Sequence, residues 1–145
     1  MTAPLYNAEI LRLTTAIPHD QRLHDPMASV ERRSPICGSR VTVDVNLDEA
    51  GRVAEVGMLV RACALGQASA ALLSAHIVGR SVSELTEARD SLTDCLAAGQ
   101  GDAPAWPGLD VFSPALTYTA RHPSIRLAFE AAAEAAEQAA AAEVR

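Results

Sequence analysis

The residues of this chain best suited to hold a metal or carry sulfur are its three cysteines and four histidines. Cys37 stands in Ser34-Pro35-Ile36-Cys37-Gly38-Ser39, between a proline and a glycine, as a cysteine on an exposed turn would. Cys63 stands in Val60-Arg61-Ala62-Cys63-Ala64-Leu65, where a strand pattern gives way to a helical one. Free backbone N–H groups at a helix start favour a thiolate. Two thiols brought together can hold a metal, carry sulfur or form a disulfide, and the residues alone leave all three open. Two thiolates do not close a site, because a structural zinc takes four ligands and an iron–sulfur cluster needs ligands on each iron. His122, at the start of the last helical pattern, is the candidate extra metal ligand. His19 and His24 belong to a polar loop, and His76 lies about three turns into a helix from Cys63. Cys95 falls between Leu92 and Leu96 on an apolar helix face and reads as core packing. No Ser/His/Asp order, phosphate-binding glycine loop, H-E-x-x-H or C-x-x-C occurs. No enzyme chemistry is expected beyond the acceptance and transfer of sulfur.

The elements that must position these residues are legible in the pattern. Arg40 to Leu47 alternates polar and apolar, Asp48-Glu49-Ala50-Gly51 is turn chemistry, and Ala54, Val56, Met58 and Val60 share one face of a second strand. A hairpin centred on that turn sets residue i opposite roughly 99 − i, which places Cys37 opposite about position 62, within reach of Cys63. A short strand at Val30–Arg33 would make the sheet three-stranded. Helices are expected from Pro4 to Ile17, from Leu65 to Ile77, from a capping box at Ser81-Val82-Ser83-Glu84 to Ala98, and from Val111 to Ala120. A last helix opens at His122-Pro123 and runs over about 123–143. It is so rich in alanine that it offers little large apolar surface, and its end is expected to fray. Strands first and helices after mean an α+β fold, a three-stranded antiparallel sheet with helices packed on one face, with residues 1–145 as a single domain.

Composition narrows the setting. Hydrophobic residues make up 49% of 145, enough for a real core. No apolar run is long enough to span a membrane, and the N-terminus lacks the pattern of a signal peptide, so a cytoplasmic location is the default. In a reducing cytosol cysteines serve as ligands, nucleophiles or core residues more than as structural disulfides. A formal charge of −6 argues against nucleic acid as a partner. All the basic charge is arginine, and Arg32, Arg33 and Arg40 cluster beside Cys37. Such a cluster is either a solvated strand face or a device that favours a thiolate at Cys37 or docks an acidic partner.

Taken in order, the motifs resemble those of the U-type iron–sulfur cluster assembly scaffolds, the IscU/SufU and NifU N-terminal family, with an architecture also shared by SufE. Tyr6-Asn7 before an amphipathic helix, Pro35-Ile36-Cys37-Gly38 before the hairpin, Cys63-Ala64-Leu65-Gly66-Gln67-Ala68-Ser69-Ala70-Ala71-Leu72-Leu73, and Ile77-Val78-Gly79-Arg80-Ser81 carry the resemblance over nearly the whole chain. It implies transient assembly of a [2Fe–2S] cluster on three cysteines and an aspartate, with zinc often in the same place. It also implies a cysteine desulfurase and apo-protein acceptors as partners. Cys37 and Cys63 match the first two ligands. The aspartate position is Ser39 and the third cysteine position is Ala128, neither of which replaces a charged ligand. Three outcomes are compatible with that departure. Iron, a cluster or zinc binds through Cys37, Cys63 and a substitute such as His122. Alternatively, one cysteine accepts persulfide sulfur in the manner of SufE, or the domain persists as an interaction module without a metal site. A monomer or weak homodimer is expected.

Overall fold

The computed structural model describes residues 7–34, 38–99 and 106–143. Its elements, in chain order, are α1 (Ala8–Thr14), β1 (Ala28–Arg33), β2 (Arg40–Leu47), β3 (Val53–Arg61), α2 (Ala64–His76), α3 (Val82–Ala98) and α4 (His122–Glu143), with short 3₁₀ turns at Leu109–Ala115 and Thr119–Arg121. The strands form one antiparallel sheet in the order β1-β2-β3. The α+β architecture expected from the sequence is the one observed.

Alternation along β2 works as the pattern implied, since Val41, Val43, Val45 and Leu47 point into the core. The register differs from the expected one. Arg40 pairs with Arg61, Thr42 with Leu59 and Asn46 with Glu55, two residues on from the simple hairpin count. Two local features each add a residue. The turn holds Glu49-Ala50-Gly51 between Asp48 and Arg52, with Gly51 at φ 78° and Asp48 Oδ1 accepting from the N–H groups of Ala50 and Arg52. A bulge then follows, where Leu47 pairs with Val53 while Asn46 pairs with Glu55. Ala54 is the extra residue and is exposed, whereas Val53 takes the core position expected for it.

The second face of the sheet is covered in part by the segment between α1 and β1. Asp44, on β2, is 0% exposed and gathers this segment around its carboxylate. It accepts from Arg22 Nε at 2.6 Å, Arg22 Nη2 at 3.1 Å, Ser29 Oγ at 2.6 Å and the Leu23 amide at 3.0 Å. Burial pushes the Asp44 carboxyl upward, but those donors together outweigh it and hold the group below its ordinary value. The Met58 N–H, on the edge of β3 away from β2, donates to His19 O at 3.0 Å and Gln21 O at 3.1 Å.

The helices end as their caps dictate. Asn7 caps α1, which stops at Thr14, short of the expected Ile17 and before Pro18, while Pro4, Leu5 and Tyr6 lie outside the described residues. Leu11, placed on the apolar stripe, is 49% exposed, while Ile10 is fully buried. Ser81 and Glu84 form the capping box of α3, and Gly99 closes it in the left-handed conformation at φ 70°. The Glu84 carboxylate, held first by the Ser81 backbone N–H and then by Arg80 and Arg52, sits at a pKa of about 2. The segment expected as a helix over Val111–Ala120 forms 3₁₀ turns instead, with Pro114, which lacks an N–H, inside the first. Trp106 anchors the start of this segment. It is 2% exposed, donates Nε1–H to Leu72 O at 2.8 Å, meets the Phe129 ring edge-on and carries the Arg80 guanidinium over its face at 4.6 Å.

Helix α4 departs most from expectation. It lies against β1 and β2 on one side and α2 and α3 on the other, with Ile125, Leu127, Ala128, Phe129 and alanines from Ala131 to Ala139 buried. Small side chains add little apolar area each, but they let the backbone approach its neighbours closely on several sides. The contact with α2 is correspondingly tight. A Cβ on Gly66 would stand 3.3 Å from Ser124 O and 2.7 Å from the Ala62 Cβ.

Candidate functional site

The open end of the hairpin is where the sequence places its chemistry. Strand pairing ends at the Arg40–Arg61 rung. From there β3 leads through Ala62 to Cys63, which is the N-cap of α2 at φ −66° and ψ 173°. Its thiol makes no capping hydrogen bond, and it is half-buried and free of any disulfide. The Cys63 carbonyl accepts from Gln67 N at 2.9 Å, and Gln67 Nε2 reaches back to the Ala62 carbonyl at 2.8 Å. These bonds fix the strand-to-helix corner. No acidic residue occupies the first turn of α2, so nothing there opposes the positive end of the helix.

On the other strand, Ser39 is 3% exposed and its Oγ lies 3.4 Å from the Cys63 amide, which donates to it. The Ser39 carbonyl accepts from Ser34 N at 2.8 Å, and Gly38 N donates to Ser34 O at 3.3 Å, with Gly38 at φ 72°. These bonds bring Ser34 and Ser39 together at the mouth of the sheet. Pro35, Ile36 and Cys37 lie outside the described residues. The position expected to carry an aspartate therefore adjoins the helix start that carries the second cysteine.

The start of α4 is the third part. Ser69 Oγ donates to Ile125 O at 2.6 Å, and Gly66 packs on Ser124, so the first turns of α2 and α4 are held together. Ala128, where a third cysteine was expected, is 1% exposed on α4. His122 is 6% exposed, and its Nε2 lies 3.2 Å from Ala115 O and 3.1 Å from Leu116 O. Carbonyl oxygens only accept, so Nε2 carries the proton and Nδ1 is the nitrogen left for any other partner. Among the described residues, no group of three or more His, Cys, Asp or Glu side chains gathers around a common point. His19 and His24 are exposed on the segment that crosses the sheet, and His76 is exposed with its ring in a T-shaped arrangement with that of Trp106. Cys95 is half-buried on α3.

The arginines divide between the two faces. Arg32 points to the helical side, where it reaches Glu130 at 3.8 Å and Glu134 at 3.5 Å on α4. Arg33 and Arg40 face away from the helices and are joined there by Arg61, because Arg33 pairs with Arg40 and Arg40 with Arg61 across the sheet. Arg61 was missed by the hairpin count, which set Arg40 opposite Leu59. The glycine that lengthens the turn signals one of the two residues by which the register moves, and the bulge adds the other.

The family model described as the NifU-like N terminal domain matches residues 5–101. A solved nitrogen-fixing NifU-like protein (N-terminal) from Brucella abortus is 33% identical, with a TM-score of 0.88, and the match covers 94% of this chain and 95% of that one. A putative iron–sulfur cluster assembly scaffold protein for the SUF system from Fervidobacterium islandicum AW-1 is 18% identical, with a TM-score of 0.82 over 91% of this chain and 96% of that one, and shares the fold. No curated protein matches the chain.

Proposed function

Because the chain belongs to the NifU-like N-terminal domain family, we propose that it is an iron–sulfur cluster assembly scaffold-like protein that takes iron, a [2Fe–2S] cluster or zinc as cargo through Cys37 and Cys63. It acts as a scaffold or carrier rather than a catalyst. The observation that carries this reading is the 3.4 Å approach of Ser39 Oγ to the Cys63 amide, which joins the loop of the first cysteine motif to the helix start of the second. The donor set is smaller than the family's. Cys63 offers a thiolate, Ser39 a hydroxyl that rarely ionises at neutral pH, and Ala128 nothing. His122 completes a set only through Nδ1. The cargo is accordingly held weakly and passed on readily. A cysteine desulfurase supplies sulfur and apo-proteins receive the product. The chain works in the cytoplasm as one domain, a monomer or weak homodimer. No helix among the described residues is long and apolar enough to cross a membrane.

The experiment is anaerobic reconstitution with ferrous iron and sulfide, followed by visible absorption. Wild-type protein is expected to gain a cluster spectrum that Cys37→Ala and Cys63→Ala each abolish. Absorbance unchanged by both substitutions overturns the reading.

The half-buried, uncapped Cys63 beside Ser39 also favours a second reading, sulfur transfer without metal. A cysteine thiolate of this chain attacks the outer sulfur of a desulfurase persulfide. The new S–S bond forms as the donor's breaks, and the donor leaves as its thiolate. Mass spectrometry after incubation with desulfurase and cysteine then shows Cys37 or Cys63 heavier by one sulfur atom. Only unmodified thiols would exclude it.

A further inference from the structure

On the sheet face away from the helices, the last rung carries arginine on all three strands: Arg33, Arg40 and Arg61. With Ser34 and Gly38 they line a cleft of about 640 Å³. Like charges directly opposite one another across strands destabilise a sheet. Elsewhere this protein pairs its arginines. Arg12, Arg22, Arg32, Arg52, Arg80, Arg89 and Arg126 each have a carboxylate within 4 Å, as does Arg33, with Glu31 at 3.0 Å. Among the described residues Arg40, Arg61 and Arg121 have none, and two of these three share the cleft. In a chain of net charge −6 such a concentration of unneutralised guanidinium is a local exception.

We propose that this cleft is a binding site for a small multivalent oxyanion, a molecule bearing two or more phosphate or carboxylate groups. Guanidinium presents a planar fork of donors that matches either group bidentately and is the side chain suited to such recognition. Strands lie about 4.8 Å apart, so the row spans about 10 Å and fits two or three anionic groups on one ligand. The cleft is within the size range of small-molecule sites, roughly 300–1,000 Å³. Bound anion removes the repulsion along the rung, so ligand and sheet stabilise each other. Its anion donors are arginines, so the proposal stands apart from the scaffold reading.

The test is calorimetric titration of metal-free protein at low ionic strength with pyrophosphate and with citrate, using chloride as the control. Saturable binding is expected for at least one of the two, weakened tenfold or more by 0.2 M sodium chloride and by Arg40→Gln/Arg61→Gln, and unchanged by Arg121→Gln. Thermal melts provide the second readout. The anion raises the melting temperature of the wild type but not of the double variant, and without anion the double variant melts no lower than wild type. Absence of saturable binding to both ligands, or equal binding by the double variant, overturns the proposal. So does binding of an acidic peptide such as polyglutamate with neither small anion bound, which would make the rung a protein-docking surface. The same titration on Cys63→Ser keeps the result separate from the scaffold reading, because the variant binds anion as the wild type does.

Discussion

Asp44 occupies a position that alternation along β2 assigns to the outer face, yet no part of it reaches solvent. Its four hydrogen bonds turn what would be a costly buried charge into the anchor of the segment carrying Arg22 and Leu23. Replacement by alanine leaves the Leu23 amide and Ser29 hydroxyl without their acceptor, and Asp44→Ala is expected to cost about 2–3 kcal/mol at neutral pH, read by urea denaturation. The folded pKa lies below its ordinary 3.8, so this stabilisation is fully present above the ordinary value and is lost as pH falls through the folded one. The gap between wild type and Asp44→Ala should therefore be constant near neutrality and shrink in acid. A gap that widened below pH 4 would show the carboxyl raised rather than lowered.

Elements meet here through residues whose role is to have no side chain. Gly57, opposite Asp44 on β3, is the crossing point of the segment before β1. A Cβ there would collide with the Gln21 carbonyl and stand 2.7 Å from the Leu23 nitrogen, both backbone atoms. Gly57→Ala is expected to lift that segment and destabilise the fold by about 1–3 kcal/mol. Faster hydrogen exchange at the Met58 amide, whose acceptors are His19 and Gln21, would locate the damage; unchanged exchange there would count against this account. Strand existence, faces and the α3 capping box were legible because each depends on local period or local hydrogen bonds. The hairpin register was not, since a three-residue turn and a bulge each add one residue. A shift of two preserves the faces beyond the bulge, which is why the core residues of β2 were read correctly while Ala54, at the bulge, was given the wrong face and Arg61 the wrong partner.

For the molecule as a whole, α4 is the element around which the others assemble. Ala131 and Ala132 are fully buried on it, and the sheet approaches one side while α2 and α3 take the other. Enlarging such a residue should force these layers apart. Ala132→Leu is expected to lower stability by about 1–3 kcal/mol, whereas Ala141→Leu, on the exposed end of the same helix, should stay within about 0.5 kcal/mol of wild type. Thermal melts of the two variants compare them directly, and equal losses would mean that α4 does not order the core. The alanine run revealed the helix but not its burial, because propensity reports on backbone conformation and says nothing of what approaches it.

By itself the sequence determined the α+β class, through period and capping chemistry, and the residue types at the candidate positions Cys37, Cys63, Ser39 and Ala128. Only the tertiary structure decided which residues became neighbours. It brought Ser39 to Cys63, turned the His122 Nε2 onto the carbonyls of Ala115 and Leu116, separated Arg32 from Arg33 and Arg40, and added Arg61 to their row. Those neighbours are set by register and by the close packing of α4, and both depend on contacts between segments far apart in the chain.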